Sequence, residues 1–210
     1  MIDLRHEAPE RQTRSRVRAG KTVMRDPSKI TGIVLHQVGM MLPITARQIR
    51  RSGGDRALAK ARRMARMPVH GAASVCGLAV LTRPLESYLY AANGFNATTL
   101  SVEFEGRYPG LDDGSVPSML VCAGVELLRE IVREGRALGM PLQWVYAHRQ
   151  SSPSRRADPG EQLWRAMKPV AESFGLKARP GLRLKSTSKK APGWGRPIPG
   201  KWDPCGVGPY

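Results

Sequence analysis

Two apolar runs that each stop at a histidine place the strongest constraint on how this chain folds. The first is "ITGIVLH", which ends at His36, and the second is "LQWVYAH", which ends at His148. Their β-branched and aromatic residues predict buried strands. If the two strands are neighbours in one sheet, both imidazoles emerge near one point at its edge. Only four histidines occur in 210 residues, so this repeated design directs attention to that edge.

Strands and helices alternate along the rest of the chain. "HGAASVCGLAVLTR" and "LESYLYAANGF" are each interpreted as a strand, and Cys76 within the first is expected to be an inert core thiol. "TLSVEFEG" alternates, which places Ser101, Glu103 and Glu105 on one face. Helices are predicted over residues 55–67, 117–138 and 159–174. This order predicts an α/β fold, with a single mixed β-sheet flanked by helices.

Composition divides the chain into three parts. Residues 1–28 are polar, arginine-rich and unpatterned, and we interpret them as a basic N-terminal arm. Residues 29–176 carry the predicted strands and helices and form one domain of ordinary size. Residues 177–210 are basic and rich in proline and glycine, which is typical of an extended tail or a small appendage.

The charge balance is the most unusual feature of the composition. Lys and Arg number 34 against 17 Asp and Glu, a net charge of +17, which draws a protein to polyanions. An aromatic content of 6% leaves few rings for base stacking, so nucleic-acid binding is the least favoured function. Three cysteines without a CxxC pair fit a reducing compartment. We expect neither a usual signal peptide nor a transmembrane segment.

Residues His36, His148 and Asp158 are candidates for a metal site. Histidine is the commonest metal ligand, and a catalytic zinc takes three protein ligands and keeps one position open. Asp158 follows His148 at the end of a polar loop that could return to the same edge. It also has a structural interpretation as the N-cap of the last helix, ahead of Pro159 and Glu161. Spacing alone leaves both interpretations open.

Three motifs together carry a family resemblance. "IVLHQVG", "LSVEFEG" and "YAHRQSSPSRRADPG" occur in this order, and the pattern resembles zinc-dependent N-acetylmuramoyl-L-alanine amidases of the amidase-2 family. The peptidoglycan recognition proteins share that fold. The resemblance spans about residues 30–164, and the late motif is its most specific part. It implies that residues 29–176 form an amidase domain.

The resemblance also implies roles for individual residues. His36, His148 and Asp158 match the zinc ligands, and Glu103 matches a functional glutamate, with Glu105 as its local competitor. Arg156 stands where the family often has a lysine that is thought to stabilise an oxyanion. The sequence departs from the family pattern at two further places. Gln37 follows the first ligand, where the family frequently has histidine or a small polar residue. The segment "YAANG" lacks the histidine of the family's "WHAG" segment.

These residues favour a zinc-dependent peptidoglycan hydrolase that cleaves the bond between N-acetylmuramic acid and L-alanine. A peptidoglycan-binding module without activity is the alternative, and a basic nucleic-acid-binding protein is less favoured. Peptidoglycan or a muropeptide is the expected partner, and the basic arm and tail are expected to contact anionic cell-envelope polymers. We expect synthesis in the cytoplasm and action on the cell wall, as a phage-type lysin or a delivered effector.

Overall fold

Seven strands form one mixed sheet, and helices cover both of its faces. The computed structural model describes residues 1–7, 17–18, 21–92, 94–108, 116–151 and 158–179. The strands are β1 (Ile2–Asp3), β2 (Val17–Arg18), β3 (Lys21–Thr22), β4 (Gly32–Gln37), β5 (Gly71–Ala73), β6 (Ala79–Leu81), β7 (Thr99–Phe104), β8 (Trp144–Ala147) and β9 (Lys177–Ala178). The α-helices are α1 (Ala46–Arg51), α2 (Arg56–Met64), α3 (Ser118–Ala137) and α4 (Glu161–Ser173).

The order of strands in the sheet is β1-β6-β5-β7-β4-β8-β9, and β2 and β3 form a separate antiparallel pair. Within the sheet, β5 and β6 are antiparallel, and the other neighbouring strands are parallel. The predicted α/β fold with a single mixed sheet flanked by helices is confirmed.

Strand β4 lies at the centre of the sheet, between β7 and β8. Both pairings are parallel, and they place His36 opposite Glu103 and Leu35 opposite Ala147. All six residues of β4 are buried, as expected for a parallel strand that is covered on both faces. The carboxyl ends of the three strands therefore reach one edge of the sheet, and His148 follows β8 there.

Helices α3 and α4 pack on one face of the sheet. The predicted apolar stripe of α3 is buried, including Leu120, Leu127 and Ile131. Gly124 in the same stripe allows a close approach, since a Cβ there would lie 2.6 Å from the Met167 side chain and 2.7 Å from that of Phe104. A larger residue at position 124 would push α3 away from both the sheet and α4.

Helix α2 covers the opposite face together with Ala92 and Phe95, and helix α1 packs against α2. Asp55 caps α2 by accepting from Leu58 N at 3.0 Å, as predicted. Helix α1 was not predicted, although Thr45 and Gln48 form a capping box that marks its start. This T-x-x-Q pattern is a known helix signal, so the sequence did contain the information.

Two strand predictions are wrong. "HGAASVCGLAVLTR" is a hairpin of β5 and β6, because the chain turns back at Gly77, whose φ is +81°. Cys76 is therefore exposed at the hairpin tip, and it is no core thiol. In "LESYLYAANGF" buried and more exposed residues do alternate. However, its backbone pairs only briefly, with the segment around Val23, where Tyr88 N donates to Val23 O. This pairing is too short to form a strand of the sheet. Asn93 of its predicted turn lies outside the described residues.

Two further differences concern the ends of the predicted domain. Strand β1 near the N-terminus pairs with β6, and Leu4 directly after it is buried. Strand β9 pairs with β8. Neither strand was predicted, because each has only two residues. The division into arm, domain and tail stays a prediction, and residues 180–210 lie outside the described part. Each helix among the described residues is either too short or too polar to span a lipid bilayer.

His70 is a buried structural residue at the start of β5. Its Nδ1 accepts a hydrogen bond from Ser101 N at 2.9 Å, and its Nε2 lies 3.0 Å from Ser87 O. Burial is the main reason why the pKa of His70 lies well below 6.5, and the nearby charge of Arg25 lowers it further. The imidazole is therefore neutral in the folded protein, with its proton on Nε2.

We expect His70 to make the protein less stable in mild acid. The unfolded chain takes up a proton near pH 6.5 while the folded chain does not, so the free energy of unfolding falls as pH drops below 6.5. This group contributes a slope of up to about 1.4 kcal/mol per pH unit. In urea unfolding between pH 7.5 and 5, the free energy of unfolding should depend less steeply on pH in His70→Asn than in the wild type. The asparagine keeps an acceptor for Ser101 N. Equal slopes would contradict a neutral, buried His70.

Candidate metal centre

Three ligand-type side chains converge at the carboxyl edge of the central strands. His36 comes from β4, His148 directly follows β8, and Asp158 lies three residues before α4. The Nδ1 atoms of the two imidazoles are 2.8 Å apart, and Asp158 Oδ2 is 2.6 Å from His148 Nδ1. One potential ligand atom from each residue lies within 4.8 Å of the other two.

The surroundings of these groups favour an ionised carboxylate beside two shielded imidazoles. Both histidines are 3% exposed. Burial alone raises the pKa of Asp158, but the hydrogen bond with His148 and the charges of the imidazoles outweigh it. The pKa of Asp158 therefore lies below 3.8, and the carboxylate is deprotonated at neutral pH, as a metal ligand must be.

The donor set fits zinc. Two imidazole nitrogens and one carboxylate oxygen are typical of a catalytic zinc with one open position. Ligand atoms around a tetrahedral zinc lie roughly 3.4 Å apart, given bonds of about 2.0–2.2 Å. The two separations at His148 are shorter than this by less than about 1 Å, and the third, between His36 and Asp158, is at most 4.8 Å.

A cavity of about 250 Å³ opens over the three ligand-type side chains. Glu103 lies on its wall, in register with His36 on the neighbouring strand. Besides Gln37, the rest of the cavity lining is largely apolar, and it consists of Val38, Met67, Pro68, Val69, Tyr90 and Ala91. The cavity therefore offers a carboxylate next to the candidate metal site, and an apolar wall for part of a ligand.

Glu105 forms its contacts in a different part of the structure, away from the three ligand-type side chains. It is 1% exposed, and its Oε1 lies 2.6 Å from Lys60 Nζ. The same carboxylate accepts from Leu42 N at 2.6 Å and from Val75 N at 3.2 Å. Glu105 thus ties α2 and the loop after β4 to the β5–β6 hairpin, and of the two glutamates only Glu103 lines the cavity.

Asp158 does not cap α4. The N-cap is Gly160, with no side-chain cap hydrogen bond, so the predicted helix start at residue 159 shifts to Glu161. The Oδ1 atom of Asp158 instead accepts from Gln37 N at 2.8 Å, and its Oδ2 atom faces His148. The carboxylate is thus used at the edge of the sheet, and it is not available to the first turn of the helix.

Arg149 anchors the chain on both sides of this turn. It is 1% exposed, and it donates to the carbonyl of Pro159 at 2.8 Å and to Glu161 Oε2 at 2.7 Å. Its backbone N–H donates to the carbonyl of Asp158. The sequence did not reveal this role, because a charged residue in a polar loop is usually exposed. Arg156, which was predicted to be catalytic together with Glu103, lies outside the described residues.

Comparisons with solved structures reveal the same fold. The chain matches the endolysin N-acetylmuramoyl-L-alanine amidase LysCS from Clostridium intestinale with 15% identity and a TM-score of 0.52, over 84% of this chain and 95% of that one. It matches peptidoglycan recognition protein LE, solved with monomeric diaminopimelic acid-type peptidoglycan, with 12% identity and a TM-score of 0.54, over 80% and 92% of the chains.

A third match is Drosophila peptidoglycan recognition protein SD, with 13% identity and a TM-score of 0.52, over 94% of this chain and 99% of that one. The chain has the fold of these amidases and recognition proteins. No protein-family model and no curated protein matches the sequence. At these identities the likeness establishes the architecture alone.

We expect Glu105→Ala to lower the free energy of unfolding by about 3–5 kcal/mol, because it leaves the Lys60 ammonium and two backbone N–H groups without their acceptor. Glu172→Ala is the matched control, since it removes an exposed pair with Lys168 in α4 and should cost no more than about 0.5 kcal/mol. Denaturant unfolding measures both. Equal losses would show that Glu105 has no such structural role.

Proposed function

We propose that the protein is a zinc-dependent N-acetylmuramoyl-L-alanine amidase that acts on the cell wall. The fold matches that of peptidoglycan amidases and recognition proteins. The observation that carries the proposal is the convergence of His36, His148 and Asp158 beside Glu103 in one cavity. Its substrate would be the amide bond between the lactyl group of N-acetylmuramic acid and L-alanine of the stem peptide.

His36, His148 and Asp158 would hold the zinc ion. When bound, zinc supplies Lewis acidity and makes a water molecule acidic enough to ionise near neutral pH. Two neutral imidazoles and one carboxylate leave the ion a net positive charge, which that chemistry needs. The low exposure of both histidines shields these ligands from bulk water.

Glu103 is the proposed general base and acid. Its position on the cavity wall allows its carboxylate to take the proton from the attacking water and to pass it to the leaving amine. The apolar wall around Tyr90 would exclude water and hold part of the muropeptide. Arg156 is proposed to stabilise the oxyanion, and its planar guanidinium would do so with a wider set of donors than a lysine.

The basic residues outside the cavity are proposed to bring the enzyme to its polymer. A net charge of +17 attracts anionic cell-envelope polymers, and this attraction weakens as salt rises. The proposed site of action is the cell wall, and delivery by lysis or by a secretion apparatus are both compatible with this chemistry.

Variants of the site separate metal binding from proton transfer. We expect His148→Ala and Asp158→Ala to lose both bound zinc and amidase activity, because each leaves only two ligands. Glu103→Gln should keep zinc and lower kcat by about 10²- to 10⁴-fold, since it removes only the proton acceptor. Metal analysis of the purified proteins and mass spectrometry of digested sacculi measure the two properties.

Glu172→Gln is the matched control on the surface of α4, and it should change neither property. Wild-type turnover by His148→Ala would exclude the proposed mechanism. If zinc-loaded wild-type protein binds sacculi but releases no peptide, the protein is a peptidoglycan-binding module without amidase activity.

A further inference from the structure

Gln37 is the last residue of β4, and it joins three segments of the chain at the metal centre. We propose that Gln37 is a positioning residue, which sets the direction of the Asp158 carboxylate and thereby the affinity for zinc. This inference rests on the proposed function. The family resemblance gives Gln37 no role, and the amide side chain here departs from the residues that are frequent at this position.

The contacts of Gln37 are specific and buried. Its backbone N–H donates to Asp158 Oδ1 at 2.8 Å. Its side-chain oxygen accepts from Gly160 N at 3.0 Å and from Tyr108 N at 3.1 Å. An amide oxygen has two lone pairs, so both are in use. With 7% exposure, the side chain is shielded from water, which could otherwise replace these hydrogen bonds.

Asp158 needs such support more than the two histidines do. His36 is fixed by the pairing of β4 with β7 and β8, and His148 follows the last residue of β8. Asp158 lies on no strand of the sheet and precedes α4. Arg149 holds the carbonyl groups of residues 158 and 159. The direction of the carboxylate itself depends on its contacts with Gln37 N and His148 Nδ1.

The two carboxylate oxygens of Asp158 have different partners. Oδ1 is occupied by the N–H of Gln37, so Oδ2 is the atom that faces His148 Nδ1 at 2.6 Å. The side-chain oxygen of Gln37 fixes Gly160 relative to the end of β4. Without that link, the turn of residues 158–160 can shift by a fraction of an ångström while the N–H of residue 37 stays in place. A zinc site with bonds near 2.0–2.2 Å is sensitive to such shifts.

Three variants test this role. Gln37→Met has nearly the same size and no acceptor, so Gly160 N and Tyr108 N lose their partner. Gln37→Glu keeps an acceptor oxygen at the same distance along the side chain. Thr99→Val is the matched control, because it removes a buried hydrogen bond to Phe95 O at 2.9 Å at the far end of β7.

Zinc affinity, measured by competition with a chromophoric chelator, is the first readout. We expect Gln37→Met to bind zinc about 10- to 100-fold more weakly than wild type, the usual loss when a group that orients a ligand is removed. Gln37→Glu should restore affinity to within several-fold of wild type. Thr99→Val should bind as wild type does, although it is less stable. The absorption spectrum of the Co²⁺-loaded protein should change only for Gln37→Met.

The measured zinc affinities distinguish a failure of the role of Gln37 from a failure of the proposed function. Wild-type zinc affinity and Co²⁺ spectrum in Gln37→Met would overturn the inference and leave the proposed amidase intact. Equal losses in Gln37→Met and Gln37→Glu would also overturn it, because the acceptor would then be irrelevant. If Gln37→Met does not fold, Gln37→Asn replaces it, since its shorter amide cannot reach both N–H groups. A wild-type protein that binds no zinc would remove the proposed function and this inference together.

Discussion

The parallel pairing of β4 with β7 and β8 is the constraint on which the candidate site depends. The register places His36 opposite Glu103 and Leu35 opposite Ala147, so three side chains that are distant in sequence arrive at one edge of the sheet. A slip of β4 by one residue would move each of its side chains to the opposite face, where the packing of both buried faces would no longer fit. The core on both faces therefore fixes the geometry of the site.

The ends of the central strands could be predicted from sequence because each is a short apolar run with a clear polar stop. "IVLH" and "WVYAH" gave the positions of His36 and His148, and the alternation in "LSVEFEG" gave Glu103 as a candidate. The choice between Glu103 and Glu105 could not be predicted. It depends on Lys60, Leu42 and Val75, which come from three other segments, and pattern along one strand contains no information about them.

Asp158 shows a second limit of local patterns. The sequence Asp-Pro-Gly-Glu is a good helix start, and residue preferences alone favour Asp158 as its cap. In the folded chain, a donor 121 residues away in sequence, Gln37 N, accounts for one carboxylate oxygen, and His148 accounts for the other. Residue preferences near Asp158 contain no information about a partner at such a separation. Arg149 shows a similar limit over a shorter range, since the partners that accompany its burial, the Pro159 carbonyl and Glu161, lie 10 and 12 residues away.

Because of the position of Asp158 in the chain, a metal ion bound at the candidate site would also stabilise the fold. His36 belongs to the sheet and His148 directly follows it, whereas Asp158 lies in the turn before α4, so an ion held by all three would cross-link that turn to the edge of the sheet. Such a cross-link adds stability in proportion to the logarithm of the free ion concentration. Heat tolerance would then follow the zinc content of the surroundings, and a strong chelator would shorten the working life of the protein even with its substrate absent.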